Sequence, residues 1–352
     1  MTDALPLDGI RVVDLSRVLA GPFATMLLAD LGADVVKVEP PEGDETRTWG
    51  PPWWGEPADR RSAYFASVNR NKRSVVLDLR TDAGRAALER LLTDADLLVH
   101  NYRPATAARL GLRAEELRPA HPRLVVASVG GFGGADADRP AYDLLAQAVS
   151  GLMAVTGHPD GPPTKVGVAL LDLIAGLECA LGALAALVGR GRVGTVEVGL
   201  VEAGVTALVN VLGNHLATGD EPPRTGNAHP NIVPYQAFEA RDGPLVIAVG
   251  NDAQFARLLE ILSLPGEAAW ATNPGRLADR DALVARLAVA IRGRDRSELL
   301  DRLRAADVPA GPIHSVGEAV TAMDAETGGS WTTTLDGIRL APSPIRLDGA
   351  SS

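Results

Sequence analysis

RVVDLSRVLAGPFATMLLADLGADVVKVE, residues 11–39, sets a β-branched run, a helix-like stretch and a second β-branched run in succession. RVVDLS (11–16) and DVVKVE (34–39) read as buried strands, and Gly21 to Leu31 as the helix that joins them. Four further runs extend the pattern: SVVLDL (74–79), DLLVHN (96–101), RLVVASV (123–129) and TVEVGL (195–200), with a second clear helix from Thr81 to Leu92. Strands alternating with helices imply βαβ units, an α/β fold with a mostly parallel sheet, and ligands at the carboxyl ends of the strands.

The first strand–helix turn, Ser16-Arg17-Val18-Leu19-Ala20-Gly21-Pro22, lacks the GxGxxG dinucleotide fingerprint, and no GxxxxGK[ST] phosphate loop occurs. GGFGG (130–134) follows a strand but carries no lysine, so it supports only a close backbone approach. After about residue 217 the character changes. TGDEPPRTGNAHPNIVPYQAF is rich in loop formers and leads into a hairpin, PYQAFEA and PLVIAVG, around Arg241-Asp242-Gly243. Helical segments follow near 252–263, 281–292 and 297–306. The expected organisation is a large domain of residues 1–217, completed by a return of 318–352, and a small α+β domain of residues 218–317.

A length of 352 residues exceeds what one core usually serves, in keeping with two domains. The net charge of −10 and the lack of a basic block argue against nucleic acid. Cys179 is the single cysteine, so no intrachain disulfide forms, which fits a reducing cytoplasm. MTDALPLDGIRVVDLS lacks the basic start and apolar stretch of a signal peptide. The apolar segment Val166–Val188 contains Asp172 and Glu178, and its Gly/Ala content suits a buried core helix better than a bilayer. The six histidines are scattered without HxxxH or CxxC spacing, so no metal site is expected. No G-x-S-x-G elbow is present.

One carboxylate stands out. In GPPTKVGVALLDLIAGLECALGALAAL (161–187), Asp172 is set among aliphatic neighbours. It is either a helix N-cap or a group placed to do chemistry. Helix-terminal amides would keep it ionised even where burial raises its pKa, and a desolvated anion is a usable nucleophile.

SRVLAGPFATMLLADLGADVVKVEPPEGD, YFASVNRNKRSVVLDLRT, HNYRPATAARLGL, PRLVVASVGGFG, PAYDLLAQAVSGLM, the Asp172 segment and GNAHPNIVPYQAF…DGPLVIAVGND together resemble the class III CoA-transferases, from about residue 6 to 315. That superfamily also holds formyl-CoA transferases, carnitine CoA-transferases and α-methylacyl-CoA racemases. The resemblance implies a Rossmann-like large domain, a small α+β domain, an interlocked homodimer and a cytoplasmic enzyme. It gives Asp172 the position of the nucleophilic aspartate, moving CoA from an acyl-CoA donor to a carboxylic acid acceptor through covalent aspartyl intermediates. Coenzyme A thioesters and small carboxylic acids are then the partners, with no permanently bound cofactor, nucleic acid or membrane.

Leu19, Ala20, Leu77, Arg80, Asn101, Tyr102, Arg103, Arg109, Arg139 and Tyr142 match CoA-contacting positions of the formyl-CoA transferases. The chemistry agrees for Arg80, Arg103 and Arg109, since guanidinium forks bind phosphate bidentately. Gly226, Asn227 and His229 match the segment that closes over the site, although both a structural and a substrate-touching role for His229 stay open. Tyr142 stands where the racemases have an acid/base histidine, and a phenol with an ordinary pKa near 10 is a poor proton shuttle at neutral pH. A racemase or epimerase is therefore the second reading. A CoA-ester-binding protein without turnover is the third, favoured only by the short segment after Ile313, which lacks the family's GEHT-type tail. Leu19 and Pro40 replace a glutamine and an arginine of the formyl-CoA transferases, so formyl/oxalate exchange is not expected.

Overall fold

The computed structural model describes residues 5–189, 194–329, 331–347 and 350–351. The first residues of the segment read for a signal peptide, and parts of the C-terminal tail, lie outside them. Six strands form one sheet: β1 (Arg11–Asp14), β2 (Asp34–Glu39), β3 (Lys72–Val76), β4 (Leu97–His100), β5 (Val125–Gly130) and β6 (Thr195–Gly199). The order is β3-β2-β1-β4-β5-β6, and every neighbouring pair is parallel. The order reverses between β1 and β4, which opens a crevice at their carboxyl ends.

Each strand expected from the sequence is present; DVVKVE keeps its bounds and the others have shifted ends. RVVDLS stops at Asp14 because that carboxylate accepts the Ser16 amide and turns the chain out of the sheet. SVVLDL is displaced toward its N-terminus, because a turn closed by Thr81 N–H on Asp78 O claims its last residues.

Helices cover both faces. On one face α1 (Ala20–Asp30) and α5 (Leu170–Val188) pack over Val12, Leu97, Val99, Val125 and Ala127. On the other, α2 (Asp82–Thr93) and α3 (Pro104–Arg109) place Leu88, Leu92 and Ala107 against Val13, Leu98 and Val126. Helix α5 is long and apolar enough to cross a membrane by length and composition. Its buried stripe, Leu171, Ala175, Cys179, Ala183 and Ala186, lies in the core beneath the sheet, with α1, β5 and β6 as neighbours.

The chain divides into two compact units, residues 1–153, 165–212 and 327–352 in the first and 154–164 and 213–326 in the second. These limits differ from the expected 217/218 and 317/318 for local reasons. Arg224 donates to the carbonyls of Ala154, His158 and Gly161, and Gly226 N–H to Gly157 O, which ties 154–164 to the second unit. Helix Val316–Glu326 carries the later boundary to its own end. The second unit has a three-stranded antiparallel sheet of Tyr235–Ala240, Gly243–Ala248 and Ala310–Pro312. Its core joins Phe238, Leu245 and Ile247 to Phe255, Leu258, Leu283, Leu287 and Leu299 from the helices.

Close approach of α1 and α5 depends on Gly176. A Cβ there would stand 2.7 Å from Ala20 O and 3.1 Å from Phe23 Cδ1. Gly176→Val therefore forces the two helices apart. We expect a loss of about 1–3 kcal/mol in urea unfolding, the range for overpacked cores, and an unchanged midpoint would contradict this packing.

Candidate active site

The site grows from the first turn after β1. Residues 16–19 cross the crevice before α1 opens at Ala20, and the Asn101 side chain, just past β4, brackets that turn. Arg17 N–H donates to Asn101 Oδ1 at 3.0 Å, and Asn101 Nδ2 donates back to Arg17 O at 2.7 Å. Val18, the next residue, has φ +69°.

Asp172 lies in the first helical turn of α5, whose N-cap is Ala169. The cap reading is thus replaced: the carboxylate that accepts a terminal amide of α5 belongs to Asp143, at the start of α4 (Asp143–Val149). Leu171 N–H donates to Asp143 Oδ1 at 2.8 Å, and Gln147 Nε2 to its Oδ2 at 2.6 Å. Gln147 Oε1 in turn accepts Val166 N–H at 2.8 Å. Asp143 is buried.

The expectation that Asp172 stays fully ionised is also corrected. Burial, reinforced by the Asp143 charge, pushes its pKa up to about 7, and a hydrogen bond from the Ala20 backbone amide only partly offsets this. Desolvation, and after it the like charge that Asp143 brings to the same helix end, outweigh that one amide. Tyr64 faces the same group. Burial, then the charges of Asp172, Asp143 and Asp44, raises its phenol to about 12. The ring packs edge-on against Trp49 at 5.0 Å.

A cavity of about 210 Å³ holds Asp172 together with Leu19, Ala20, Asn101, Arg103, Arg139 and Tyr142, all expected from the sequence, and with Arg17 and Leu200. An adjoining cavity of about 460 Å³ shares Arg17, Asn101 and Arg103 and brings in Leu77, Arg80, Tyr102 and Arg109. The two form the carboxyl-end crevice. A larger cavity of about 620 Å³ in the same unit is lined by His100 and Glu197 and does not include Asp172.

Individual positions differ in what they offer. Leu19 lines the cavity but is largely buried, packed with Met26 and Val68. Arg80 is already engaged, with Nε on Asp78 Oδ1 at 2.7 Å and Nη2 on Oδ2 at 3.1 Å. Arg139 pairs with Asp136 at 2.9 Å and lies over the Phe132 ring. Tyr102 stacks on His100, and burial raises its phenol pKa. Tyr142 is exposed at the N-cap of α4.

Gly226, Asn227 and His229 belong to the second unit. Gly226 has φ +59°, a conformation that suits glycine at this bend. His229 Nδ1 accepts the Asn231 amide at 3.0 Å and its ring packs on Tyr235, which locks the loop. Among the described residues, no group of three or more His, Cys, Asp or Glu side chains is arranged to hold a metal ion. Asp143 and Tyr64 escaped the sequence reading. The YDLL of PAYDLLAQAVSGLM held the first in plain sight, but only the fold shows that it caps a helix far along the chain.

The chain belongs to CoA-transferase family III, which it matches over residues 7–351. It is 40% identical to the succinate–glutarate CoA-transferase of Agrobacterium fabrum, covering 98% of this chain and 92% of that one. It is also 40% identical to the acetyl-CoA:oxalate CoA-transferase of Acetobacter aceti, over 98% and 90%. A CaiB/BaiF family protein from Brucella suis superposes with a TM-score of 0.86 at 40% identity, covering 99% of this chain and 94% of that one. The protein is thus an enzyme of the class III CoA-transferase type.

Asp143→Asn keeps an acceptor for the Leu171 amide and removes the charge beside Asp172, while setting an amide group against Gln147. We expect the Asp172 carboxyl, followed by ¹³C NMR, to titrate about half a unit to one unit lower, because one like charge is gone. The misplaced amide should cost about 1–3 kcal/mol of stability. An unmoved titration would show that Asp143 exerts no field on Asp172.

Proposed function

We propose that the enzyme transfers CoA between an acyl-CoA and a carboxylic acid through covalent intermediates on Asp172. The observation that carries this reading is a half-buried carboxylate, with the Ala20 amide on it, inside a crevice lined by Arg17, Arg103 and Arg139. Asp172 reacts as the anion, which its pKa of about 7 makes available at neutral pH. A carboxylate Oδ attacks the thioester carbonyl, the C–S bond breaks, and a mixed anhydride forms as CoA thiolate departs. The thiolate attacks the aspartyl carbonyl, releasing the donor acid and leaving an aspartyl-CoA thioester. The acceptor carboxylate attacks that thioester carbonyl and expels the thiolate. Attack of the thiolate on the acceptor's acyl carbon then gives the new acyl-CoA and frees Asp172. Each step conserves an activated acyl group, so the cycle runs on the energy of the incoming thioester.

The acceptor class we propose is the dicarboxylic acids. The relatives from Agrobacterium and Acetobacter are named for succinate, glutarate and oxalate. In this chain the guanidinium groups of Arg17 and Arg103 share the cavity with Asp172, and a second carboxylate is the natural counter-ion for either. The assembly we propose is a homodimer. Leu144, Leu145 and Val149 on α4 and Leu177, Leu181 and Val188 on α5 are large apolar residues exposed on two helices that touch, which supports a partner chain covering them.

Asp172→Ala should abolish exchange between acyl-CoA donors and dicarboxylic acids while the protein still folds and binds CoA esters. Hydroxylamine added to the wild type during turnover should convert Asp172 to a hydroxamate, detectable by mass spectrometry. Comparable turnover in Asp172→Ala would end the proposal. Sedimentation should give twice the mass of one chain, and Leu181→Glu should shift it toward the monomer; a monomeric wild type would refute the assembly.

A further inference from the structure

Two lysines lie buried beneath the turn that precedes α1. Lys37, on β2, is 1% exposed, donates from Nζ to Ser16 O at 2.8 Å and lies 2.9 Å from the carboxylate of fully buried Asp44. Lys72, on β3, lies 3.1 Å from Asp14 and donates to Pro22 O, in the first turn of α1, at 2.8 Å. Asp14, also fully buried, accepts the Ser16 amide at 2.9 Å, the Thr25 hydroxyl at 2.7 Å and the Ser16 hydroxyl. Burial would raise the Asp14 pKa, but the lysines and hydroxyls outweigh it and hold the group at about 2.

Ion pairs this deep are poor stabilisers, since desolvation consumes most of the attraction, and aliphatic packing would serve the core as well. What these groups secure is backbone: Ser16 N–H, Ser16 O and Pro22 O, to which Asn101 adds both polar groups of Arg17. Val18 stands inside that frame at φ +69°, a left-handed conformation that a β-branched residue adopts only when its surroundings impose it. The chain then enters α1 at Ala20, which lines the same cavity as Asp172 and whose backbone amide favours the charged carboxylate.

We propose that Lys37, Lys72 and Asn101 are positioning residues for Asp172, locking the strained turn at residues 16–19 so that the Ala20 amide stays on the carboxylate. This rests on Asp172 being the nucleophile. It also changes the part expected of Asn101, whose side-chain amide is occupied by Arg17 on both sides and serves the turn. Lys37 and Lys72 line neither cavity of the crevice, so they act on the reaction only through the backbone they hold.

The deciding variant is Lys37→Met, whose residue cannot touch CoA. With the turn loosened, the Asp172 carboxyl should titrate about half a unit or more higher by ¹³C NMR, because it loses a hydrogen bond to its charged form. The kcat per folded chain should fall about tenfold or more with KM for the acyl-CoA within about threefold, the pattern of misplaced reacting groups. Asn101→Ala should move both readings in the same direction, and Asp44→Asn serves if Lys37→Met does not fold. A lowered melting temperature with unchanged titration and kcat would reduce the network to a structural role and overturn the proposal. So would an Asn101→Ala enzyme with raised KM and normal kcat. The titration stands apart from turnover, so an active Asp172→Ala would defeat the nucleophile reading without being mistaken for either result.

Discussion

The contact between α1 and α5 is the constraint from which the site follows. Gly176 lets the two helices approach so closely that a Cβ there would stand 2.7 Å from the Ala20 carbonyl oxygen, and that approach brings the first turn of α5 to the first turn of α1. Asp172 and the Ala20 amide meet there. The small residues along the buried stripe of α5, Ala175, Cys179, Ala183 and Ala186, let the same helix lie close under the sheet. Helix packing and placement of the Asp172 carboxylate are therefore one geometric fact.

Around that contact the protein balances opposed electrostatic effects. Asp172 is desolvated and repelled by Asp143, which raises its pKa to about 7, while one amide favours the anion. A carboxylate at its ordinary pKa would be ionised but well solvated and sluggish; one buried without an amide would stay protonated. A few residues away Asp14 shows the opposite balance, with two lysines and two hydroxyls holding it near 2 despite complete burial. Asp14 supports a turn, Asp172 is the group proposed to react, and the difference in their ionisation is in their partners.

Cys179 illustrates how position governs reactivity. It lies on the same helix as Asp172, but burial and the Asp14 charge push its thiol up to about 12, and its neighbours are aliphatic. A nucleophilic side chain held protonated inside a core is filler. Arg80 shows position at work at the surface, where a guanidinium matched by residue type to a phosphate role lines the crevice while bonded to Asp78.

The lone acid Asp172 stood out in the sequence, but its part in the chemistry came from the family resemblance. The six parallel strands and the apolar helix α5 were legible there too, because β-branched runs and helical periodicity are local patterns. The hairpin of the second unit and its three main helices were legible for the same reason, to within a residue or two. The state of the site was not. That Asn101 holds Arg17, that Asp143 caps α5 and that Val18 is forced into the left-handed region all depend on segments distant in the chain meeting in space. Protonation goes the same way. A pKa sums burial and charge over every group nearby, and only the tertiary structure decides which groups those are.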